Sequence, residues 1–180
     1  MNVKHVLRNR IWFGGSSITL FLVLVLSQSA LSDPQVWPTW SVETATGQGF
    51  HSKQLDGKVA VISIWGSWCP SCRKQLPVLN RLQETFGAND VQVIGFSLDR
   101  SEDTHRSFVE ENHIGVPSVF ARSGAGLKVV RMLQEGAGTL EAVPTLLIYD
   151  RQGHLVHRMV GFFNTKQLEE LVFPLLGKEK

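Results

Sequence analysis

The two cysteines of this 180-residue chain lie three positions apart, within the segment Trp68-Cys69-Pro70-Ser71-Cys72. An apolar, β-branched run at 59–64 precedes the segment, and leucines at helical spacing follow it. A buried strand that turns into a helix at a Cys-x-x-Cys pair favours folds in which strands alternate with helices. The same arrangement is typical of a thiol–disulfide redox centre.

Pro70 predicts that a helix begins directly after Cys69, because the N–H that proline lacks has no partner in a first helical turn. Free N–H groups and the helix dipole then stabilise a Cys69 thiolate, and Arg73 and Lys74 add positive charge. Thiols in such settings titrate at about 3.5–7.5. We therefore expect Cys69 to be the exposed nucleophile and Cys72 the shielded thiol that resolves a mixed disulfide.

Other uses of a Cys-x-x-Cys pair fit the sequence less well. A structural disulfide across two residues constrains little of the unfolded chain. A zinc site needs four ligands, and a c-type haem needs histidine where this chain has Arg73. His154 and His157, three apart on a predicted strand, point to opposite faces, so we expect no metal site there. Binding of Cu(I) by the two thiolates stays open.

Residues 1–32 have the composition of an export signal. Small residues ending in Ala30-x-Ser32 follow a largely apolar stretch at 11–26, and the segment contains no acid and three basic residues, Lys4, Arg8 and Arg10. We expect a cleaved signal peptide or a retained membrane anchor, since the apolar stretch is near the short limit of a membrane span. Positive charge before this stretch places residues 33–180 outside the cytoplasm.

The net charge of +2 belongs to the leader, since residues 33–180 contain 15 basic and 16 acidic residues and carry −1. We therefore expect no nucleic-acid partner. Strands are predicted at 59–65, 91–98, 116–121, 144–149 and 154–160, a hairpin within 40–50, and helices at 70–86, 101–113, 127–135 and after Asn164 or Thr165. Pro77 predicts a kink in the first helix, and Gly87 its end. The alternation indicates an α/β architecture with a mixed sheet.

The redox motif, the strand before it and the Val143-Pro144-Thr145 strand with its turn at Gly153 resemble the thioredoxin superfamily. The leader and the extra strand–helix segment between the motif and Pro144 look like its membrane-tethered TlpA/ResA/DsbE branch. The resemblance covers about residues 37–176. It implies that residues 33–180 form a thioredoxin-like α/β fold, with a central mixed sheet flanked by helices, an inserted strand–helix segment and an N-terminal hairpin.

The resemblance also implies that Pro144 is a cis-proline facing the disulfide, with the backbone of Val143 turned toward an extended substrate chain. We expect Val143, Pro144 and Thr145 to border the substrate, and Trp68 to shield the disulfide and offer an apolar contact. Pro117 is the alternative cis-proline. Pro144 is preferred because a long apolar strand, a turn and another strand follow it.

Two positions depart from the family pattern. Many thioredoxins carry a buried acid where this chain has Ser63, and the branch often carries glutamate where it has Gln75; the proline two residues later, Pro77, matches. The acid that would help to remove a proton from Cys72 is therefore absent at both positions. Water, Glu135 or Glu141 are the alternatives for that role.

These features predict an exported thiol–disulfide oxidoreductase of the bacterial periplasm or outer face of the cytoplasmic membrane. It needs no bound cofactor, because the redox-active pair Cys69–Cys72 carries the electrons. The resemblance implies protein disulfides of cytochrome c maturation or copper-site assembly as substrates, and a membrane thiol electron transporter as reductant. A disulfide oxidase and a Cu(I)-binding module that use the same cysteines stay open.

Overall fold

The computed structural model describes residues 37–140 and 142–177. The predicted leader and Glu141 lie outside the described residues. Within them no helix combines the length and the apolar character of a membrane span. The strands are β1 (Ser41–Glu43), β2 (Gly49–His51), β3 (Val59–Trp65), β4 (Val91–Ser97), β5 (Ser118–Phe120), β6 (Thr145–Tyr149) and β7 (Leu155–Val160). The helices are α1 (Pro70–Asp90), α2 (Glu102–Glu111), α3 (Gly124–Ala137) and α4 (Thr165–Val172), with 3-10 turns at Ser52–Leu55 and Phe173–Leu176.

Five strands form the central sheet in the order β5-β4-β3-β6-β7. β3 and β4 are parallel, as are β4 and β5, whereas β6 runs antiparallel to both β3 and β7. Every residue of β3, β4 and β6 is buried, which is expected of strands covered on both faces. The predicted mixed sheet and thioredoxin-like α/β fold are confirmed.

The pleat of β3 divides the core into two clusters. Val59, Val61 and Trp65 face a cluster that includes the leucines of α1 and both cysteines. The alternate residues Ala60, Ile62 and Ile64 face the hairpin and α3. Because side chains alternate across the sheet, a single apolar strand anchors helices on both sides.

The N-terminal hairpin forms where the sequence predicted it and covers the outer edge of β5. β1 and β2 pair antiparallel, with Val42 opposite Phe50 and both side chains buried. The N–H of Ala45 donates to the carbonyl of Ser118 at 2.7 Å, so the hairpin occupies hydrogen-bonding groups that an edge strand would leave open.

Several element boundaries differ from the sequence prediction for local reasons. The non-helical backbone inside α1 lies at Gly87 (φ 70°, ψ 160°), after which the helix resumes, and not at Pro77. α3 begins three residues early because Ser123 caps it by accepting the N–H of Gly126. Asn164 is the cap of α4, in a reciprocal pair with Gln167. β5 is shorter than predicted.

The sheet has two ends with different contents. At the site end the carboxyl ends of β3 and β4 meet the start of β6, since Trp65 pairs with Ser97 and Ile64 with Thr145. This end gathers residues 65–69, 97–99, 143–145 and 160–163. The far end gathers the starts of β3 and β4 and the β6–β7 turn, residues 56–58, 90–91 and 149–154.

Candidate active site

Cys69 is the N-cap of α1, and Pro70 occupies the first helical turn as predicted. The Sγ atom of Cys69 accepts the backbone N–H of Cys72 at 3.2 Å and lies 3.2 Å from the Ser71 hydroxyl. Both cysteines are thiols in this structure. The helix therefore directs a backbone donor and a hydroxyl at one sulfur, a geometry suited to a thiolate.

Burial acts to raise the pKa of Cys69, but hydrogen bonds from the side chains and backbone of Cys72 and Ser71 outweigh it, so the pKa is lowered. From the sequence we also expected the positive charges of Arg73 and Lys74 to stabilise the Cys69 thiolate. Arg73 instead donates its Nε–H to the carbonyl of Ser67 at 2.6 Å, so the stabilisation of the thiolate comes from hydrogen bonds.

Cys72 has the opposite character. Burial, followed by the hydrogen bond with Cys69 and the charge on that residue, raises the pKa of Cys72 to about 12. Its side chain is 0% exposed against 5% for Cys69. The difference between the two thiols has the predicted direction, but the prediction of an exposed Cys69 is wrong, because only a small part of that residue reaches the surface.

Trp68 is the exposed aromatic beside the cysteines. It is 59% exposed, and a Cβ at Gly66 would stand 2.7 Å from its ring, so the glycine makes room for the indole. Trp65 is fully buried against Phe108 and His105, as expected of a core residue.

The Val143–Pro144 peptide bond is cis, as the resemblance implied, and the bond before Pro117 is not. The thiol of Cys69 donates to the carbonyl of Val143 at 3.6 Å. The hydroxyl of the buried Thr145 donates to the Ala142 carbonyl at 2.6 Å. The structure thus brings the start of β6 next to the attacking sulfur across 74 positions of sequence.

Gln75 is buried and acts as a clamp. Its Nε2–H donates to the carbonyl of Phe163 at 3.1 Å, and its Oε1 accepts the N–H of Phe163 at 2.8 Å. An amide can make both bonds, whereas a carboxylate has no donor for the carbonyl. Ser63 is buried without a hydrogen-bond partner. Glu135 is exposed on α3, and Glu141 lies outside the described residues.

Sequence reasoning missed Asp99, which follows β4 and is 0% exposed. Its Oδ1 accepts the N–H of Ser67 at 2.9 Å and the Ser67 hydroxyl at 2.8 Å, and its Oδ2 accepts the Ser97 hydroxyl at 2.6 Å. The available signal was an acid directly after a strand parallel to β3, because the carboxyl ends of parallel strands meet at one edge of a sheet.

The chemistry that this arrangement supports is the exchange of two electrons between the Cys69–Cys72 pair and another disulfide. Across residues 37–140 and 142–177 no group of three or more histidine, cysteine or acidic side chains could hold a metal ion.

Comparisons with known proteins agree with a site for thiol–disulfide exchange. The model of the AhpC/TSA family matches residues 35–158. The thiol-disulfide oxidoreductase ResA of Bacillus cereus is 24% identical over 156 residues, which are 87% of this chain and 86% of ResA. The thiol:disulfide interchange protein DsbE of Pseudomonas aeruginosa is 32% identical over 121 residues, 67% of this chain and 61% of DsbE.

The same fold occurs in solved structures. A thiol:disulfide interchange protein of the thioredoxin family from Chlorobium tepidum superposes with a TM-score of 0.70 at 23% identity, covering 78% of this chain and 94% of that one. At this level of identity the likeness establishes the thioredoxin-like fold.

Proposed function

This chain belongs to the AhpC/TSA family and is a thiol–disulfide oxidoreductase of the ResA/DsbE type, and we propose that it reduces selected protein disulfides outside the cytoplasm. The observation that carries the proposal is the geometry at the start of α1, where the Sγ atom of Cys69 accepts the N–H of Cys72 and lies 3.2 Å from the Ser71 hydroxyl, while Cys72 one turn further on is fully buried. The pKa of Cys69 is lowered, and that of Cys72 is raised to about 12. One sulfur is thereby prepared to attack, and the other is held back as a protonated thiol.

In the first step the Cys69 thiolate attacks one sulfur of a substrate disulfide. A Cys69–substrate disulfide forms, the substrate S–S bond breaks, and the other substrate sulfur leaves as a thiolate. The negative charge on Cys69 is consumed in this step. Because the hydrogen bond with Cys69 and the Cys69 charge both contribute to the raised pKa of Cys72, we expect that pKa to fall in the mixed disulfide.

In the second step Cys72 loses its proton to water and attacks the sulfur of Cys69. The mixed disulfide breaks, the second substrate thiolate leaves, and the Cys69–Cys72 disulfide forms. Two electrons have passed from the protein dithiol to the substrate, which is released as a dithiol after protonation. We propose water as the acceptor because neither Ser63 nor Gln75 is an ionisable base and Glu135 is exposed on α3. Glu141, which lies outside the described residues, is the alternative.

The surroundings of Cys69 suit a polypeptide substrate. The Val143 carbonyl, which now accepts from the thiol, is a main-chain acceptor for an extended chain laid beside β6. Trp68 offers an exposed apolar face on the redox loop, the turn of residues 66–69 that leads into α1. These two features support a role for Trp68 and the residues 143–145 in holding the substrate next to the sulfur.

Each turnover leaves the Cys69–Cys72 pair oxidised, so a dithiol donor must return two electrons. The basic and apolar composition of residues 1–32 supports export, which separates the domain from cytoplasmic reductants. A thiol electron transporter in the membrane is the donor proposed from the branch resemblance. Apocytochrome c cysteines and disulfides of copper-site assembly proteins are the substrate classes proposed from the branch resemblance.

The test is capture of the mixed disulfide in cells. Cys72→Ser cannot resolve the intermediate, so it should accumulate covalent partners that reductant releases, and mass spectrometry should identify them as extracytoplasmic proteins. The matched control is the double variant Cys69→Ser, Cys72→Ser, which should capture none. Stoichiometric Cu(I) binding without turnover of a model disulfide would favour a copper module instead. Failure of the dithiol form to reduce captured partners would favour an oxidase.

A further inference from the structure

Asp99 is the one acidic side chain within residues 37–140 and 142–177 that is fully buried. Burying a carboxylate costs free energy unless hydrogen-bond donors compensate it. Here all three side-chain and backbone donors around it, from Ser67 and Ser97, direct hydrogen at its oxygens. Donors on both oxygens suit an ionised carboxylate, since a protonated one needs an acceptor for its own proton.

Asp99 makes two hydrogen bonds to a single residue of the redox loop. It accepts both the N–H and the hydroxyl of Ser67, which lies two positions before Cys69. The remaining polar group of Ser67, its carbonyl, accepts the Nε–H of Arg73 at 2.6 Å. Arg73 is fixed in turn, since its guanidinium lies over the ring of Phe108 at 5.2 Å. All three hydrogen-bonding groups of Ser67 are therefore tied to other elements.

The hydrogen bonds that fix Ser67 also constrain Cys69, which belongs to the same turn. The N–H of Cys69 donates to the carbonyl of Gly66 at 3.1 Å, so residues 66–69 form a single turn. Displacement of Ser67 therefore moves the Cys69 backbone relative to α1. The two contacts that stabilise the thiolate, to the Cys72 N–H and the Ser71 hydroxyl, are both 3.2 Å long and weaken steeply with further separation.

We propose that Asp99 is a positioning residue for the redox centre, which acts through Ser67 to hold the Cys69 sulfur against its two hydrogen-bond donors. The proposal rests on the proposed function of Cys69 as the attacking thiol. Asp99 is fully buried and bonds to Ser67 and Ser97, so it acts on the sulfur through Ser67. It supplies a fixed point on the sheet, at the end of β4, against which the redox loop is set, and Arg73 supplies the matching point on α1.

The experiment measures the pH profile of Cys69 alkylation by iodoacetamide in the reduced full-length chain, followed by peptide mass spectrometry. Asp99→Ala should move the profile to higher pH and lower the rate of disulfide reduction by about tenfold or more, because a displaced nucleophile attacks less efficiently. The alkylation profile and the rate of Asp99→Asn should lie between those of the wild type and Asp99→Ala, since the amide oxygen still accepts from Ser67.

The matched control is Asp150→Ala at the far end of the sheet. Asp150 accepts the backbone N–H groups of Gln152 and His154, so its removal also deletes backbone contacts, yet it should leave the alkylation profile unchanged. A folded Asp99→Ala protein with an unshifted profile would overturn the proposal, even if its activity fell, because stability alone would then explain the loss.

Smaller substitutions keep the test available if Asp99→Ala does not fold. Ser67→Ala removes a bond from the Asp99 carboxylate to the redox loop. Ser97→Ala removes a bond from the same carboxylate to β4, together with the bond that the Ser97 hydroxyl accepts from the Asp99 N–H at 3.1 Å, so it disturbs Asp99 at least as much. The Ser67 variant should shift the profile more; an equal or reversed effect would contradict positioning through Ser67. Because alkylation needs no protein substrate, this result is independent of whether the Cys72→Ser capture succeeds.

Because Asp99 also affects His105, the ionisation of Cys69 has to be measured at its own sulfur atom. Burial lowers the pKa of His105, and the charges of Asp99 and Glu102 oppose that effect, so Asp99 variants also change this histidine. Activity profiles would mix the two titrations, whereas alkylation mapped to Cys69 follows only the sulfur.

Discussion

The two ends of the central sheet contain the same kinds of anchoring residue in different surroundings. At the far end Asp150 accepts the N–H groups of Gln152 and His154 at 3.0 and 2.8 Å and closes the β6–β7 turn. Its side chain is 24% exposed. At the site end Asp99 likewise accepts a backbone N–H, from Ser67, but is 0% exposed. If Asp150 is removed, water can accept from the N–H groups that it leaves. Water cannot reach the buried donors around Asp99.

A pair of glutamines on α1 repeats the contrast. Gln83, toward the far end, donates to the carbonyl of Val91 and accepts the N–H of Val93, both at 2.8 Å, and is partly exposed. Gln75, at the site end, makes the same two kinds of bond to Phe163 but is 1% exposed. At the far end these side chains hold the β6–β7 turn and the start of β4, whereas at the site end they hold the loops beside the attacking sulfur in a fixed position without help from solvent.

The largest expected effect is the difference between the two aspartate variants in the free energy of unfolding. Asp99→Ala leaves the Ser67 N–H and two hydroxyls without their buried acceptor, and we expect a loss of about 3–5 kcal/mol in the free energy of unfolding. Asp150→Ala exposes its donors to water and should cost about 1 kcal/mol. Urea denaturation of the reduced proteins measures both. Equal losses at the two positions would break the comparison.

The second prediction concerns the two glutamines. Gln75→Glu removes the donor to the Phe163 carbonyl and buries a carboxyl, so we expect a loss of about 1–3 kcal/mol. Burial raises the pKa of the new carboxyl above that in the unfolded chain, so the loss grows as pH rises from the unfolded value of about 4.3 toward the raised pKa. Gln83→Glu is the matched control, with a smaller loss. Unfolding at acidic and neutral pH distinguishes them; a Gln75→Glu loss independent of pH would argue against burial as the cause.

The sequence predicted the local part of this contrast and missed the non-local part. The strand-to-helix transition at Cys69 and the cap at Asn164 depend on neighbouring residues, and the structure confirms them. The cis-proline was implied by the family resemblance, and Pro144 was preferred to Pro117 because of the strand and turn that follow it. The transition and the cap are visible in the sequence because adjacent residues carry their cause.

Asp99 could not be found in the same way, because Ser67 lies 32 positions from it. The charge of Arg73 is visible in the sequence, but its direction toward the Ser67 carbonyl depends on the packing of α1 against the redox loop. The low exposure of Cys69 likewise depends on folding, which brings Val143 within 3.6 Å of its sulfur. Exposure and orientation are tertiary properties, and the motif fixes neither.

The third prediction uses the opposite pKa displacements at the site end. The pKa of Cys69 is below its ordinary value of 9.0 in the folded protein, so its contribution to stability is present above pH 9 and lost as pH falls through the lowered pKa. The pKa of Cys72 is raised to about 12, so its contribution is present below pH 9 and lost as pH rises from there.

Reduced protein should therefore lose up to about 1.4 kcal/mol per pH unit above pH 9 through Cys72. Cys72→Ser should lack this part of the decline, and the difference between the two denaturation series isolates it from the titration of lysines. Cys69→Ser should lack the stabilisation on approach to pH 9 from below. A Cys72→Ser series parallel to that of the wild type would mean that Cys72 titrates as an ordinary thiol.

The smallest expected effect belongs to the far end. Arg151 donates to Asp90 at 2.6 Å and to the carbonyl of Gly57 at 2.8 Å, with side chains of the ion pair 28% and 26% exposed. Solvent screens such a pair, so Arg151→Ala should cost about 0.5 kcal/mol, less at high salt. Its Cys69 alkylation profile and rate of disulfide reduction should match the wild type, because the contacts it removes are at the opposite end of β3 from the sulfur. A shifted alkylation profile in this variant would mean that β3 transmits displacement from one end to the other, and the separation of stabilising and positioning anchors would then fail.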